Sequence, residues 1–158
     1  MSDEQEQQPV FSIEKIYVKD LSLEIPHAPQ IFLQRETPQV DVQLHNHNEM
    51  MEDGVYEAVL TVTATAKLPE DKTLFLVEVT QAGIFQIRNV PEEDLQPILG
   101  ITCPSILFPY VREVISDMVT RAGFPTVLLN PVNFDVLYQQ QRLVEQTAVA
   151  EASTATAH

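Results

Sequence analysis

The residues best suited to chemistry lie in the stretch HNHNEMME, where His45 and His47 are close to Glu49 and Glu52. Imidazole and carboxylate groups at such short spacing are ligands for zinc and other divalent metals. No further His or Cys follows at the spacing that would close a four-ligand site. We therefore interpret the stretch as a polar turn between two strands, with a metal cluster as the alternative.

Other routes to catalysis have little support in the sequence. Cys103 lies in ITCPSI without a neighbouring histidine or cation to activate its thiol, so we expect an inert, buried cysteine. The glycines, at positions 54, 83, 100 and 123, are too scattered for a phosphate-binding loop. Asp20 and Glu24 are expected to be open to water and not in the pocket that acid–base catalysis needs. We expect neither an enzyme nor a cofactor.

Acidity dominates the composition, because 23 Asp and Glu against 9 Lys and Arg give a formal charge of −14. This charge argues against nucleic acid or an anionic membrane as partner and favours a basic one; acidity that serves only solubility is the alternative. A single cysteine and an acidic N-terminus without a signal-peptide pattern favour the cytoplasm. No apolar run approaches the ~20 residues that span a bilayer, so we expect no membrane insertion.

Hydrophobic alternation predicts four strands, followed by helices. The strands are Phe11 to Ile25, QVDVQLH, Val55 to Leu68 and TLFLVEVTQAGIFQI. Strict alternation in the first strand predicts an apolar face made of Phe11, Ile13, Tyr17, Leu21, Leu23 and Ile25. The opposite, acidic face would contain Val18, Asp20, Ser22 and Glu24. In the fourth strand Val77, Val79 and Gln81 would share one face, and Leu76 and Glu78 the other.

Helical spacing predicts a short helix from Glu92 to Leu99 ended by Gly100, a long helix capped by Ser105 and ended by Gly123, and a last helix in NFDVLYQQQRLVEQ. The fold class is α+β, an antiparallel four-stranded meander with helices packed on one face. The apolar stripe of the long helix is too wide for one sheet to cover, which predicts a homo-oligomer. Residues 11–147 would form one domain between mobile tails at 1–10 and 148–158.

Several blocks resemble the SecB family of bacterial protein-export chaperones. They are IYVKDLSLEIPHAP, LFLVEVTQAGIF, LGITCPSILFPYVREVISDMVTRAGFP and LNPVNFD, in the family's order, and the resemblance covers about residues 11–138. It implies a homotetramer, a dimer of dimers, with helices between sheets and outer sheet faces exposed. It also implies binding of newly made, unfolded preproteins without nucleotide, and their transfer to the ATPase SecA.

The resemblance also implies roles for individual residues. The residues that would bind the basic, zinc-bearing C-terminal segment of SecA are Asp20, Glu24, Leu76 and Glu78. Residues that would support subunit packing, with simple core as the alternative, are Val77, Val79 and Gln81. Candidates for the client groove, each with ordinary core as the alternative, are Ile31, Phe32, Phe134, Leu137 and Tyr138. The zinc belongs to SecA, and no metal is expected in this chain.

One departure concerns the groove, since some members of the family have an aromatic residue before the second strand. This chain reads RETP there, with Glu36, and it contains no tryptophan. The details of the groove lining are therefore expected to differ.

Two functions remain open from the sequence. The favoured one is a holdase that binds unfolded preproteins through surplus apolar surface. The alternative is an acidic adaptor that binds one folded basic protein, for which charge alone would suffice.

Overall fold

Four strands precede three α-helices along the described residues, as the α+β pattern predicts. The structure is a computed structural model that describes residues 8–156. The strands are β1 (Val10–Glu24), β2 (Gln39–Glu52), β3 (Val55–Leu68) and β4 (Lys72–Arg88). The helices are α1 (Glu92–Pro97), α2 (Cys103–Arg121) and α3 (Phe134–Thr156), with a π-helical turn at Ile98–Thr102 and 3-10 turns at Gln30–Leu33 and Pro69–Asp71.

The strands form one antiparallel sheet in the order β1-β4-β3-β2. The predicted meander is therefore wrong for β1, which crosses over to pair with β4 and not with β2. Prolines at positions 26, 29 and 38 keep the connecting segment out of the sheet, because proline lacks the N–H that a ladder needs. As a result β1 and β4 are direct neighbours, and their side chains can form one surface.

The strands β1 and β4 do not pair residue for residue, because the pairing skips Glu14 and Lys19. Each skipped residue is a β-bulge that turns the following side chains to the opposite face. The predicted apolar face is therefore wrong for Tyr17, which lies on the side away from the helices. The helix side, which we call the inner face, contains Phe11, Ile13, Ile16, Val18, Leu21 and Leu23. We call the opposite side of the sheet the outer face.

The second strand is longer than predicted, and most of the supposed turn NHNEMMEDG is strand. Only Asp53 and Gly54 form the turn, and Gly54 has a φ of 77°. Glycine adopts this conformation without steric cost, and Asp-Gly is a strong signal for a tight hairpin. His45 and His47 therefore lie in β2 and not in a turn.

Helix α2 packs on the inner face of β3 and β4 and closes the core. Its side chains that face the sheet and are fully buried are Leu107, Val111, Ile115 and Val119. On the far side of the helix Tyr110 is 46% exposed. Val114 and Met118 are partly buried against the core, so of the predicted apolar stripe only Tyr110 is left exposed among the described residues.

The predicted break at Gly100 is wrong, because α1, the π-helical turn and α2 form one continuous helical stretch. A Cβ at Gly100 would come within 2.6 Å of the Tyr138 ring, so the glycine lets α3 approach closely. Ser105 does not cap a helix; its hydroxyl donates to the Ile101 carbonyl at 2.6 Å. Gly123, with a φ of 94°, follows the end of α2 as predicted.

The continuous stretch Glu92–Arg121 is long and apolar enough, by length and composition, to cross a membrane. The expectation that no segment reaches this length is wrong, because it considered only uninterrupted apolar runs. Charged residues such as Glu113 and Asp117 alternate with apolar ones and lie on the exposed side. In the structure the apolar side packs on the sheet, as in the core helix of a globular domain.

Helix α3 extends to Thr156, past the predicted end of the last helix. Its additional turns are rich in alanine, the strongest helix former. At its start the side-chain oxygen of Asn133 accepts the Val136 N–H at 3.1 Å and caps the helix. Of the two expected tails, residues 1–7 and 157–158 lie outside the described part of the chain.

Candidate docking face and binding clefts

The outer face is an ordered grid of side chains, because β1 and β4 are in register beyond the Lys19 bulge. The neighbouring pairs, from the middle of the strands outward, are Asp20 and Thr80, Ser22 and Glu78, and Glu24 and Leu76. Such partners have Cβ atoms roughly 5 Å apart. The four predicted SecA contacts therefore lie together on one surface, which we call the acidic patch and which consists of Asp20, Glu24, Leu76 and Glu78.

Within the described residues, no basic side chain neutralises the carboxylates of the acidic patch. Asp20 and Glu24 are exposed and Glu78 is half-buried, and within residues 8–156 none of the three forms a salt bridge. The Thr63 hydroxyl donates to a Glu78 carboxylate oxygen at 2.8 Å and so orients it. Sequence reasoning missed Thr63, although its place among the alternating threonines of β3 indicated a surface position. Three carboxylates around one leucine suit a basic partner that also offers a small apolar contact.

A second cluster on the outer face joins β1 to β3. Glu57 accepts hydrogen bonds from the Tyr17 hydroxyl and from the Lys19 ammonium, whose nitrogen lies 2.9 Å from Oε1. The hydrogen bond from Tyr17 lowers the pKa of Glu57, and the hydrogen bond and positive charge of Lys19 lower it further. Burial, followed by the bond to Glu57 and its charge, raises the pKa of Tyr17 to about 12. At neutral pH Tyr17 is thus a donor and Glu57 an ionised acceptor.

The residues with metal-binding or nucleophilic potential are not assembled into a site. His45, His47 and Glu49 lie along the outer face of β2, and Glu52 is at the strand's end. Among the described residues no group of three or more His, Cys, Asp or Glu is placed to hold a metal. Cys103 is fully buried, as predicted, and burial raises the pKa of its thiol to about 12, so it stays protonated.

The predicted groove residues divide between two clefts. The first, which we call the loop cleft, has a volume of about 480 Å³ and lies between the β1–β2 connection, the start of β4 and the turn after α2. Ile31 is 1% exposed and forms part of its floor, whereas Phe32 is 48% exposed. The Phe32 ring stacks on Phe124 with centroids 5.2 Å apart, and Phe124 contacts Phe75 at the same distance. Glu36 also lines this cleft.

The second, which we call the helix cleft, has a volume of about 640 Å³ and lies between β2, β3 and the helices α1 and α3. Phe134 is 6% exposed and packs edge-on against Phe108, with centroids 5.9 Å apart. Leu137 is 41% exposed, and Tyr138 is half-buried beneath the Arg142 guanidinium at 5.8 Å. Each cleft thus combines a buried apolar floor with at least one exposed apolar side chain.

The predicted subunit-packing residues lie inside a single chain. Val77 and Val79 are 0% exposed and Gln81 is 3% exposed, and the Gln81 Oε1 has no hydrogen-bond partner among the described residues. Beside them, the inner face of β1 is uncovered. Its exposed apolar side chains, which we call the β1 stripe, are Phe11, Ile13, Val18 and Leu21. Any effect of the two valines on assembly would therefore be indirect, through the packing of their own chain.

Two clefts with buried apolar floors and an acidic patch on the outer face indicate a binding protein. The model of the family described as Preprotein translocase subunit SecB matches residues 4–145. The protein-export protein SecB of Methylobacillus flagellatus is 66% identical over 154 residues, which cover 98% of this chain and 95% of that protein. The protein-export protein SecB of Chromobacterium violaceum is 63% identical over 148 residues, which cover 94% and 98%.

The fold is also found in a solved structure, that of a SecB-like chaperone from Mycobacterium tuberculosis in complex with a ChAD peptide from the HigA1 antitoxin. The TM-score is 0.66 at 16% sequence identity, and the match covers 77% of this chain and 90% of that one. The chain described here belongs to the SecB family. It is a protein-export chaperone and not an enzyme.

Proposed function

We propose that this chaperone is an ATP-independent cytoplasmic holdase, which keeps newly made preproteins unfolded and delivers them to the SecA ATPase for export through the Sec channel. The observation on which the proposal rests is the separation of two kinds of surface. The clefts are concave, have buried apolar floors and open beside the inner face, whereas the acidic patch lies on the outer face. This separation would let the chaperone hold a client and bind SecA at the same time.

The client would bind in the loop cleft and the helix cleft. Phe32 and Leu137 are exposed enough to contact an apolar segment directly, whereas Ile31 and Phe134 are buried and would shape the floor. Tyr138 would contribute its half-buried ring. Unfolded chains expose such apolar segments and folded proteins bury them, so selectivity would come from competition between folding and capture. The peptide in the complex of the mycobacterial chaperone is consistent with peptide binding by this fold.

The acidic patch would bind the basic, zinc-bearing C-terminal segment of SecA. Opposite charge would mainly speed encounter and orient the partner, and Leu76 would add local apolar contact. The zinc would come with SecA, since zinc binding is not expected of this chain.

We further propose that the chain forms a homotetramer, a dimer of dimers. Support comes from apolar surface that one chain leaves uncovered, namely the β1 stripe and the ring of Tyr110 on α2. The unpartnered Gln81 Oε1, buried next to the β1 stripe, would gain a partner on assembly. Light scattering should give four times the 17.8 kDa of one chain. A mass of 17.8 kDa would contradict the assembly.

The holdase proposal is tested by comparing one polypeptide in two states. A reduced, carboxymethylated polypeptide should bind the chaperone, and the same polypeptide folded with its disulfides intact should not. Calorimetry at matched concentrations measures both. Equal binding of the two states would overturn the holdase and favour an acidic adaptor for folded basic proteins.

A further inference from the structure

The Lys19 bulge decides which side chains of β1 reach the acidic patch. Before it Val18 pairs with Gln81, whose side chain is buried on the inner face, and after it Asp20 pairs with Thr80 on the outer face. With strict alternation, Val18 and Asp20 would lie on the same side of the sheet. The outward position of Asp20, and of Glu24 beyond it, therefore depends on this bulge.

Glu57 is bonded to both sides of the point where the bulge begins. One carboxylate oxygen accepts from Tyr17, the last outer-face residue before the bulge, and the other accepts from Lys19, the bulged residue itself. Both bonds pass over β4, because Glu57 lies on β3 and β4 separates the two strands. Below them Ala82, the register partner of Tyr17, is 0% exposed although it lies on the outer face.

The burial of the Glu57 side chain distinguishes a fixed link from a loose surface pair. The Glu57 side chain is 15% exposed, whereas that of Lys19 is 50% exposed. Exposed ion pairs contribute little, but a half-buried carboxylate with two charge-assisted bonds has one defined geometry. The apolar side chains of β1 already specify the register; the Glu57 bonds add a definite angle at the bulge.

We propose that Glu57 is a positioning residue for SecA docking: it ties Tyr17 and Lys19 to β3 and so holds the bulge that directs Asp20 and Glu24 outward beside Leu76 and Glu78. The inference rests on the proposed docking function of the acidic patch. On the outer face Glu57 lies two cross-strand rows away from Asp20. It therefore influences the position of Asp20 through the backbone of β1 and not by direct contact.

The test uses Tyr17→Phe and Glu57→Gln, singly and together, in the full-length assembled protein. The probe is the zinc-loaded C-terminal peptide of SecA, titrated by calorimetry well below the melting temperature. The matched control is Glu49→Gln, which removes the same charge from the register partner of Glu57 on β2. Each single variant should weaken peptide affinity by roughly three- to tenfold. The double variant should lose no more affinity than the single variant with the larger loss.

Three outcomes separate positioning from its alternatives. Wild-type affinity in both single variants, with lower melting temperatures, would mean a merely structural link and would overturn the inference. A loss in Glu57→Gln but not in Tyr17→Phe, matched by Glu49→Gln, would mean that only charge is sensed and would also overturn it. If Asp20→Lys with Glu78→Lys leaves the affinity unchanged, the docking function itself fails, whatever Glu57 does.

A second readout follows the orientation of the strand directly. Ser22 lies between Asp20 and Glu24 on the outer face and is exposed, and Cys103 is buried, so a Ser22→Cys variant has one reactive thiol. Maleimide labelling of Ser22→Cys should change in rate by roughly threefold when Glu57→Gln is added, and not when Glu49→Gln is added. Equal rates in all three proteins would contradict a role for Glu57 in holding the strand.

Discussion

The acidic patch and the two clefts differ in every property that determines what a surface can bind. The patch is negatively charged and built on the ladder of β1 and β4 beyond the Lys19 bulge, whereas the clefts are concave, have apolar floors and are built largely from connections and helix α3. Regular strands place charges at fixed spacing, which suits one folded partner. Connections and helix ends place aromatic rings around a hollow, which suits many unfolded segments. The two proposed binding functions should therefore be separable by mutation.

The largest effect is expected from reversing charge in the acidic patch. Asp20→Lys with Glu78→Lys replaces two carboxylates by ammonium groups and places like charges against a basic partner. SecA affinity should fall by roughly a hundredfold, since such a juxtaposition costs several kcal/mol. Client affinity and assembly mass should remain those of the wild type. Calorimetry and light scattering measure both, and unchanged SecA affinity would remove the docking assignment.

The next largest effect is expected in the helix cleft. Leu137→Asp places a charge where an apolar client segment would bind, and client affinity should fall by roughly thirtyfold, or about 2 kcal/mol. The control is Val144→Asp, on the same helix, 68% exposed and not lining the cleft. SecA affinity should be unaffected in both variants. If Val144→Asp weakens client binding as much as Leu137→Asp, the helix cleft is not the client site.

The salt dependence of binding should distinguish the two surfaces without any mutation. Between about 0.05 and 0.5 M sodium chloride, SecA affinity should fall by roughly tenfold, because exposed charges are screened over a few ångströms at high salt. Client affinity should change by less than about twofold, since burial of apolar surface does not depend on charge. Parallel titrations at several salt concentrations provide the comparison. A steep salt dependence of client binding would assign clients to the charged face.

The smallest effect concerns the stability that Glu57 provides. Its pKa is lower in the folded protein than the ordinary 4.5, so the ionised form contributes stability above pH 4.5 that is lost as the pH falls towards the folded-state value. Glu57→Gln should therefore unfold about 1 kcal/mol more easily at pH 7, and the gap should close on acidification. Urea unfolding at fixed protein concentration measures this. A gap that widens in acid would reverse the assignment.

Much of the fold follows from pattern alone, and the failures have physical causes. From Phe75 onward β4 pairs with β3 without a break, and both are central strands with one face under α2, so their faces could be read directly. The faces of β1 cannot be predicted from strict alternation, because each bulge turns the following side chains to the opposite face. The signal in the sequence is the spacing of the apolar residues, which is alternately two and three positions. These residues are Phe11, Ile13, Ile16, Val18, Leu21 and Leu23.

The site shows the same division between local and long-range information. The common face of Asp20, Glu24, Leu76 and Glu78 could be predicted, because the alternation of β1 after Lys19 is regular. The separation of the groove residues into two clefts could not, since it depends on how the β1–β2 connection and α3 fold back on the sheet. Gly100 illustrates the limit, because its role is set by the Tyr138 ring and not by its neighbours in sequence.

The most direct test of two separate surfaces is simultaneous binding. The assembled chaperone is first saturated with an unfolded, carboxymethylated client and then titrated with the zinc-loaded C-terminal peptide of SecA, with light scattering to verify the mass of the complex. The account predicts one complex that contains all three components, with a peptide affinity within about twofold of that of the client-free chaperone. Displacement of the client by the peptide, or loss of peptide binding when the client is bound, would contradict it.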